Sequence, residues 1–541
     1  MSTPVPPDRA RFDRPALVAL LLGLAGVGYR LVLTLLTVPA ANSDEATFGL
    51  AAMHIADGRE HPVFLYGQHY MGMIESYLAA PLVALAGADW PVLRLPLVAL
   101  YAVFLWLSYR LTRRLYRPWF ATFTVGLLAL GTERVVRDQL TVVGGRAEGK
   151  PMVLAILLIA VGLAGPRVRW RRTWWRRAAA VGLAGLLAGA ALWSDWLLAP
   201  YLAVAGLLLI YAVRRELSGW PGLLLVAGFG LGVAPLVWDN LTAPPGADSL
   251  SVLRQLSAGT GPPPPWADRL RGGLLEGVPL ASGLCPPTGC ARWQEWFGVL
   301  YPVLVATAAV LALVGYRRAA RRPTAVRVRP VTQLTLLAGA ALTLLAYVRS
   351  PLAATEPLAN ARYLSVLQIS LPAVLWPLWL AAAACWRGTV GMAGRLVGAG
   401  ATAVLAGLTT AAVVATGLFL VALDGPMADQ RRARQLADAV RRTGLREVYG
   451  DYWTCNRLTF DTGERVVCAV LDGQLGPGYN RYRPYWRRVE RAARPGYVLP
   501  VDSPAERRLR DLLGDRADTA RLVEVSGYRV YHPTSAVRPG R

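Results

Sequence analysis

The stretch from Pro15 to Val38 reads PALVALLLGLAGVGYRLVLTLLTV, and the polar Asn42-Ser43-Asp44-Glu45 follows almost at once. A helix crosses a hydrocarbon layer about 30 Å thick in roughly 20 apolar residues, so this run is long enough to span. Arg9, Arg11 and Arg14 precede it. No small-residue cleavage site follows, so it reads as a retained span rather than a signal peptide.

Runs of the same kind recur as far as Leu423, separated by short basic segments. These hold Arg110, Arg113, Arg114 and Arg117; then Arg167, Arg169, Arg171, Arg172, Arg176 and Arg177; then Arg214 and Arg215; then Arg317, Arg318, Arg321 and Arg322. The positive-inside rule makes such segments cytoplasmic. The apolar region 178–213 is too long for one span and divides at Trp193-Ser194-Asp195-Trp196. The pattern predicts a polytopic α-helical protein of the cell membrane with about eleven spans. Its expected parts are a cytoplasmic tail (1–14), a membrane domain (15–423) with a first outer loop at 39–73, and an extracytoplasmic domain (424–541).

Composition agrees. Of 541 residues, 54% are hydrophobic and 17% charged, against about 25% charged in soluble proteins. Mean hydropathy is +0.36. A net charge of +24 would suit nucleic acid. Here the arginines cluster between apolar runs, where they set topology and meet anionic membrane lipids, and no nucleic-acid partner is expected.

Cys285 and Cys290 fall in a long outer segment rich in Pro and Gly, Cys455 and Cys468 in the C-terminal domain, and Cys385 alone at a cytoplasmic helix end. An even set in oxidising space predicts disulfides. Local pairing, Cys285 with Cys290 and Cys455 with Cys468, is expected, and crossed pairing stays open. No neighbouring His or Cys completes a metal site at Cys285 and Cys290.

After Asp424 helix and strand signals alternate. Ala428–Arg442, Tyr485–Ala493 and Ala505–Leu513 read as helices; Glu447–Tyr452, Val466–Leu471 and Tyr497–Val501 read as strands, with a last strand or strand pair over Arg521–Tyr531. This predicts a small α/β domain with a largely parallel sheet. It has neither a phosphate loop nor a triad, and reads as a lid or docking module.

Candidate chemistry gathers in the first outer segment. Asp44, Glu45, His54, Asp57, His61, Tyr66, Gln68, His69 and Glu75 lie there, including three of the chain's four histidines. A carboxylate at bilayer depth costs about 2.5–3.5 kcal/mol on insertion scales, so it is kept for a task or a partner. The plainer reading of Asp44 is a solvated acid, or the cap of a helix starting near Glu45. Glu75 sits in an apolar run, Met71 to Leu85, with the spacing of a helix lying along the interface. The second outer loop packs Gly144-Gly145-Arg146-Ala147-Glu148-Gly149, and a late span is introduced by Asn360-Ala361-Arg362-Tyr363. Each of these alone fits an ordinary polar loop or a snorkelling arginine.

Together their order resembles the GT-C membrane glycosyltransferases. The likeness is to bacterial relatives of the protein O-mannosyltransferases and of the lipid A aminoarabinose transferase. Asp44-Glu45 looks like that family's acidic motif, and the stretch from Asp44 to Ala52, followed by Pro62 to Gln68, is similar to bacterial members. The resemblance implies a GT-C fold and an inverting transfer of sugar from a polyprenyl-phosphate donor to a glycan, lipid or protein acceptor at the outer face of the membrane. It places Asp44 as catalytic base with Glu45 beside it, and Arg362 and Arg146 on the leaving phosphate. His54, Tyr66, Gln68, Glu75, Glu148 and Tyr363 become substrate contacts. Glu45, Glu148 and the loop histidines would orient sugar hydroxyls or hold a divalent metal, whose ligands the spacing does not fix. One departure is plain: the second outer loop offers Glu148 near Arg146 and no clear second acidic motif. The alternative is a transporter or flippase of lipid-linked substrates. It predicts paired repeats and broken helices near mid-membrane, whereas the polar residues here gather at one surface. A sensor with an outer binding domain is a third reading.

Overall fold

A computed structural model describes residues 13–165, 174–257, 262–286, 288–514, 521–533 and 537. Arg9, Arg11, Arg167, Arg169, Arg171 and Arg172, and most of the expected tail, lie outside the described residues.

The membrane part opens with α1 (Arg14–Leu35), α2 (Ser43–Ala56), α3 (Ile74–Ala86) and α4 (Trp90–Leu115). It continues through α5 (Pro118–Ala129), α6 (Glu133–Leu140), α7 (Arg146–Leu163), α8 (Trp174–Ser194), α9 (Ala199–Val213) and α10 (Trp220–Thr242). The short α11 (Ser249–Ser257), α12 (Trp266–Leu270) and α13 (Val278–Ala281) follow. Next come α14 (Trp296–Arg318), α15 (Thr324–Arg349), α16 (Leu352–Thr355), α17 (Pro357–Asn360), α18 (Leu371–Trp386) and α19 (Met392–Val421). Among the described residues, nine helical stretches are long and apolar enough to cross a membrane. A count of eleven needs α5, which is apolar but only 12 residues long, and α7, which starts with Arg146, Glu148 and Lys150. The break expected at Trp193–Trp196 is present: α8 stops at Ser194, and Asp195 caps a short 3-10 turn before α9.

Two segments are more ordered than their composition suggests. The Pro- and Gly-rich stretch before α14 holds α11 to α13 and a π-helical turn, Arg271–Gly277. The polar loop after α5 holds α6.

The C-terminal domain runs α20 (Asp424–Thr443), β1 (Glu447–Gly450), α21 (Tyr452–Asp461), β2 (Val467–Val470), α22 (Arg483–Arg491), β3 (Gly496–Pro500), α23 (Pro504–Leu513), β4 (Arg521–Val525) and β5 (Tyr528–His532). The sheet order is β2-β1-β3-β5-β4. The first three strands are parallel, but β5 runs antiparallel to both β3 and β4. The sheet is therefore mixed. Ser526 and Gly527 both take positive φ, 53° and 82°, the backbone a two-residue hairpin turn demands.

This domain does not hang free. Phe48, Trp90, Leu93, Tyr449, Phe460 and Leu499 share one buried apolar cluster that runs from α2 and α4 into the sheet. At Gly49 an added Cβ would lie 2.5 Å from the Phe460 ring, so α2 and α21 touch because that position has no side chain. Cys285–Cys290 and Cys455–Cys468 are disulfide-bonded, and Cys385 is free.

Candidate active site

Asn42 starts α2: its side chain accepts from the Glu45 backbone N–H at 2.9 Å. The cap is Asn42, not Asp44, and the helix begins at Ser43. Asp44 and Glu45 both sit in the first turn, where the helix dipole favours carboxylates. Their surroundings then diverge.

Glu45 is fully buried. Arg94 of α4 grips it at both oxygens, Nε at 2.7 Å and Nη2 at 2.6 Å, and the Val142 N–H adds a third bond at 3.2 Å. This bidentate pair ties α2, α4 and the chain after α6 together, and leaves Glu45 no free face for a substrate.

Asp44 instead keeps 35% of its side-chain surface. Its Oδ1 accepts from Arg481 Nη2 at 2.8 Å and from the Tyr452 hydroxyl, both in the C-terminal domain. Arg481 also donates to Tyr452, and Tyr479 donates to the Gly67 carbonyl at 2.7 Å. Burial would lower Arg481, but Tyr452 and the Asp44 carboxylate hold it above its ordinary value, so it stays charged.

Around Asp44 lie further polar and charged side chains. Arg362 lies within electrostatic reach of both Asp44 and Asp138. Tyr70 is bordered by Tyr363, Arg481, Tyr479 and Arg362, and burial raises its phenol. Asp138 of α6, 3% exposed, meets Arg146 Nη1 at 3.2 Å and Arg134 Nε at 3.8 Å. Lys150, the chain's single lysine, is buried and donates to Gln368 Oε1 at 3.1 Å. Gln368 also lines an apolar cavity of about 100 Å³ between Leu128, Ala281, Tyr301, Leu364 and Leu408. Lys150 thus adjoins, through Gln368, an apolar hollow in the helix bundle.

A second acidic group lies nearby. Glu75 Oε2 accepts from Gly144 N–H at 2.9 Å; Glu148 Oε1 accepts from Gly145 N–H at 2.9 Å and from the Ser194 hydroxyl. Gly145 has φ 78°, and a Cβ there would lie 2.2 Å from that of Asp195. Only glycine lets this backbone aim its N–H groups at the carboxylates. Burial and the Glu148 carboxylate push Glu75 well above the usual carboxylate range, and burial pushes Asp195, between two spans, up to about 6.

His54 and the Tyr66 hydroxyl belong to a separate network. His54 is buried between the Tyr66 hydroxyl at 2.7 Å and Glu464 Oε1 at 2.9 Å. Tyr66 and Tyr482 donate to the two oxygens of Glu60, 2.9 and 2.6 Å away. Burial would raise the Glu464 carboxyl, but hydrogen bonds from His54, Arg59 and Tyr485 bring it down to about 2. This network docks the C-terminal domain. Gln68 is half-buried with its carbonyl oxygen unpaired.

The metal reading fits poorly. Glu45 is bound to Arg94, Glu148 to Gly145 and Ser194, and His54 to Tyr66 and Glu464, in three separate places. Among the described residues no three metal-binding side chains gather.

Sequence reasoning missed Asp138, Lys150, Tyr452 and Arg481. Lys150 did carry a signal, as the lone lysine among 58 basic residues.

The helix bundle with the α/β domain docked on it defines a polytopic membrane protein with the GT-C fold. Two solved structures carry that fold. ArnT from Cupriavidus metallidurans, bound to undecaprenyl phosphate, matches with a TM-score of 0.57 at 14% identity, over 98% of this chain and 100% of that one. The apo oligosaccharyltransferase of Archaeoglobus fulgidus matches with a TM-score of 0.50 at 12% identity, over 91% of this chain and 70% of that one. No protein-family model and no curated protein matches the chain.

Proposed function

We propose that this protein is an inverting glycosyltransferase. It moves a sugar from a polyprenyl-phosphate donor to a cell-envelope acceptor at the outer face of the membrane. The observation that carries the reading is Arg362 within electrostatic reach of Asp44 and Asp138, with Asp138 bonded to Arg146 and Lys150 bonded to Gln368 on the wall of an apolar cavity. An isoprenoid phosphate has matching parts: an anionic head for the cations and, next to it, a first apolar isoprene unit of a size with the hollow. Undecaprenyl phosphate is what the ArnT of like fold holds.

The chemistry follows from the charges. An acceptor hydroxyl is a weak nucleophile until a base takes its proton. Both hydrogen bonds to Asp44 end on Oδ1, so Oδ2 is left to take that proton. The acceptor oxygen bonds to the anomeric carbon from the face opposite the phosphate. The bond from that carbon to the phosphate oxygen breaks, and its electron pair leaves with the lipid phosphate. Arg362, Arg146 and Lys150 offset the charge that grows there. Arg's fork suits phosphate oxygens. Tyr70 and Tyr363 border the space between and present hydroxyls to the sugar. Glu45 supports this site through Arg94 rather than by touching substrate, and no step is routed through a metal.

The test is sugar transfer by purified protein from a polyprenyl-phosphate sugar. Asp44→Asn should lose about 10²–10⁴-fold in rate, the contribution of a placed general base. Full activity in that variant removes Asp44 from the role. Movement of the lipid-linked sugar across vesicles with no new glycosidic bond would favour the transporter.

A further inference from the structure

A second cavity, of about 340 Å³, opens in the C-terminal domain where it meets the α1–α2 connection. That volume lies within the range of small-molecule sites, roughly 300–1,000 Å³. Ala40 and Ala41 form one wall; Trp453, Arg457 and Asp461 of α21 form another; Asp429 and Arg432 of α20 and Tyr528 close it. We propose that this pocket binds a neutral glycan, the acceptor of the transfer; the inference rests on the transferase reading above.

Three features select that class of ligand. Trp453 stands 62% exposed at the rim, an apolar plate beside polar groups. A sugar ring is built the same way, with C–H groups on its faces and hydroxyls around its edge. Next, the wall carries an unmet donor and an unmet acceptor. Arg457 Nε and Asp461 Oδ2 are buried and face each other as an ion pair at 3.8 Å, too far apart for a hydrogen bond, and neither has another hydrogen-bond partner. Asp461 keeps only 7% of its side-chain surface, and its other oxygen is taken by Trp90 Nε1 at 2.7 Å. Buried polar atoms are rarely left so. A hydroxyl both accepts and donates, so one sugar hydroxyl can serve both atoms. Finally, the two carboxylates of the lining balance its two guanidiniums. A phosphate or sulfate would want an excess of cations, whereas a neutral polyol does not.

The position suits an acceptor. Trp453 is the neighbour of Tyr452, whose hydroxyl holds Asp44, and Ser43 bonds the Tyr452 carbonyl at 2.5 Å. The first turn of α21 therefore lies between this pocket and Asp44.

The test uses full-length protein in detergent, titrated with neutral oligosaccharides released from bacterial cell envelopes. Trp453→Ala should bind about 30-fold more weakly, the loss usual for an aromatic anchor, with unchanged thermal unfolding because Trp453 is exposed. Absence of binding by wild type, equal binding by Trp453→Ala, or tighter binding of a phosphorylated oligosaccharide or a peptide would each overturn the proposal. Transfer by a protein that binds no glycan here would sink this inference and spare the transferase. Glycan binding lost in Trp453→Ala, by a protein that transfers nothing, would keep the glycan site and overturn the transferase, and with it the acceptor role.

Discussion

The two faces of α2 meet different halves of the molecule and treat their polar groups in opposite ways. Toward the membrane helices, Glu45 is sealed against Arg94 with neither side chain exposed. Toward the C-terminal domain, Asp44, Thr47 and His54 meet Arg481, Asn456 and Glu464, and several of these side chains keep some contact with water. Two carboxylates adjacent in the chain thus have unrelated tasks. What separates them is the partner each finds across the fold, not their acidity or their place in the first turn.

The sharpest way to break that comparison is Arg94→Ala. Removing one member of a buried ion pair leaves the other unpaired, at about 3–5 kcal/mol. Thermal unfolding should show the loss directly, and replacing both residues by leucine should recover much of it. Asp44→Asn should lower the unfolding temperature less than Arg94→Ala, because Asp44 is partly exposed, and should lose most transfer. An Arg94→Ala protein that unfolds normally but has lost transfer would put Glu45 back into the chemistry.

The docking face predicts a pH dependence. Glu464 is held near 2 in the folded chain, below an unfolded carboxyl near 4.3. A depressed value stabilises the folded state above the unfolded value, and that contribution fades as pH falls from about 4.3 through about 2. The amount is on the order of 2–3 kcal/mol. Unfolding of wild type followed from pH 7 to pH 3 should steepen below pH 5, and Glu464→Gln should remove that part of the slope. An unchanged slope would mean that the His54–Glu464–Arg59 contacts do not hold the domain.

These partners also mark how far the sequence could be read. The membrane class, the break at Asp195 and most strands of the C-terminal domain rest on local patterns, apolar length and alternation, which a chain displays residue by residue. The β4–β5 hairpin was legible in principle from Ser526-Gly527, yet a long strand and a strand pair share the same alternation. The site is different. Arg94 lies 49 residues from Glu45, and Arg481 lies 437 from Asp44. No periodicity links such positions, so tertiary packing alone decides which acid is sealed and which is left open. Asp138 escaped for a related reason: an eight-residue helix in a polar loop leaves too short a pattern to stand out.

That short helix, α6, repeats the contrast of α2 at smaller scale, and gives the smallest expected effect. On one face Asp138 is buried between Arg134 and Arg146. On the other, Glu133 and Arg137 pair at 2.8 Å with 27% and 49% of their side chains exposed. Both faces hold acid–arginine pairs, so a count of ion pairs would rank them equally. Physics does not: water screens the outer pair, and ordering two long side chains cancels most of its attraction. Glu133→Ala should shift stability by no more than about 0.5 kcal/mol and leave transfer unchanged. Asp138→Ala should lower both, because Arg146 then loses the carboxylate that holds it at the site. If the two substitutions have equal effects on unfolding and on transfer, Asp138 is one more surface charge. The site would then be built from Asp44, Arg362 and Lys150 without it.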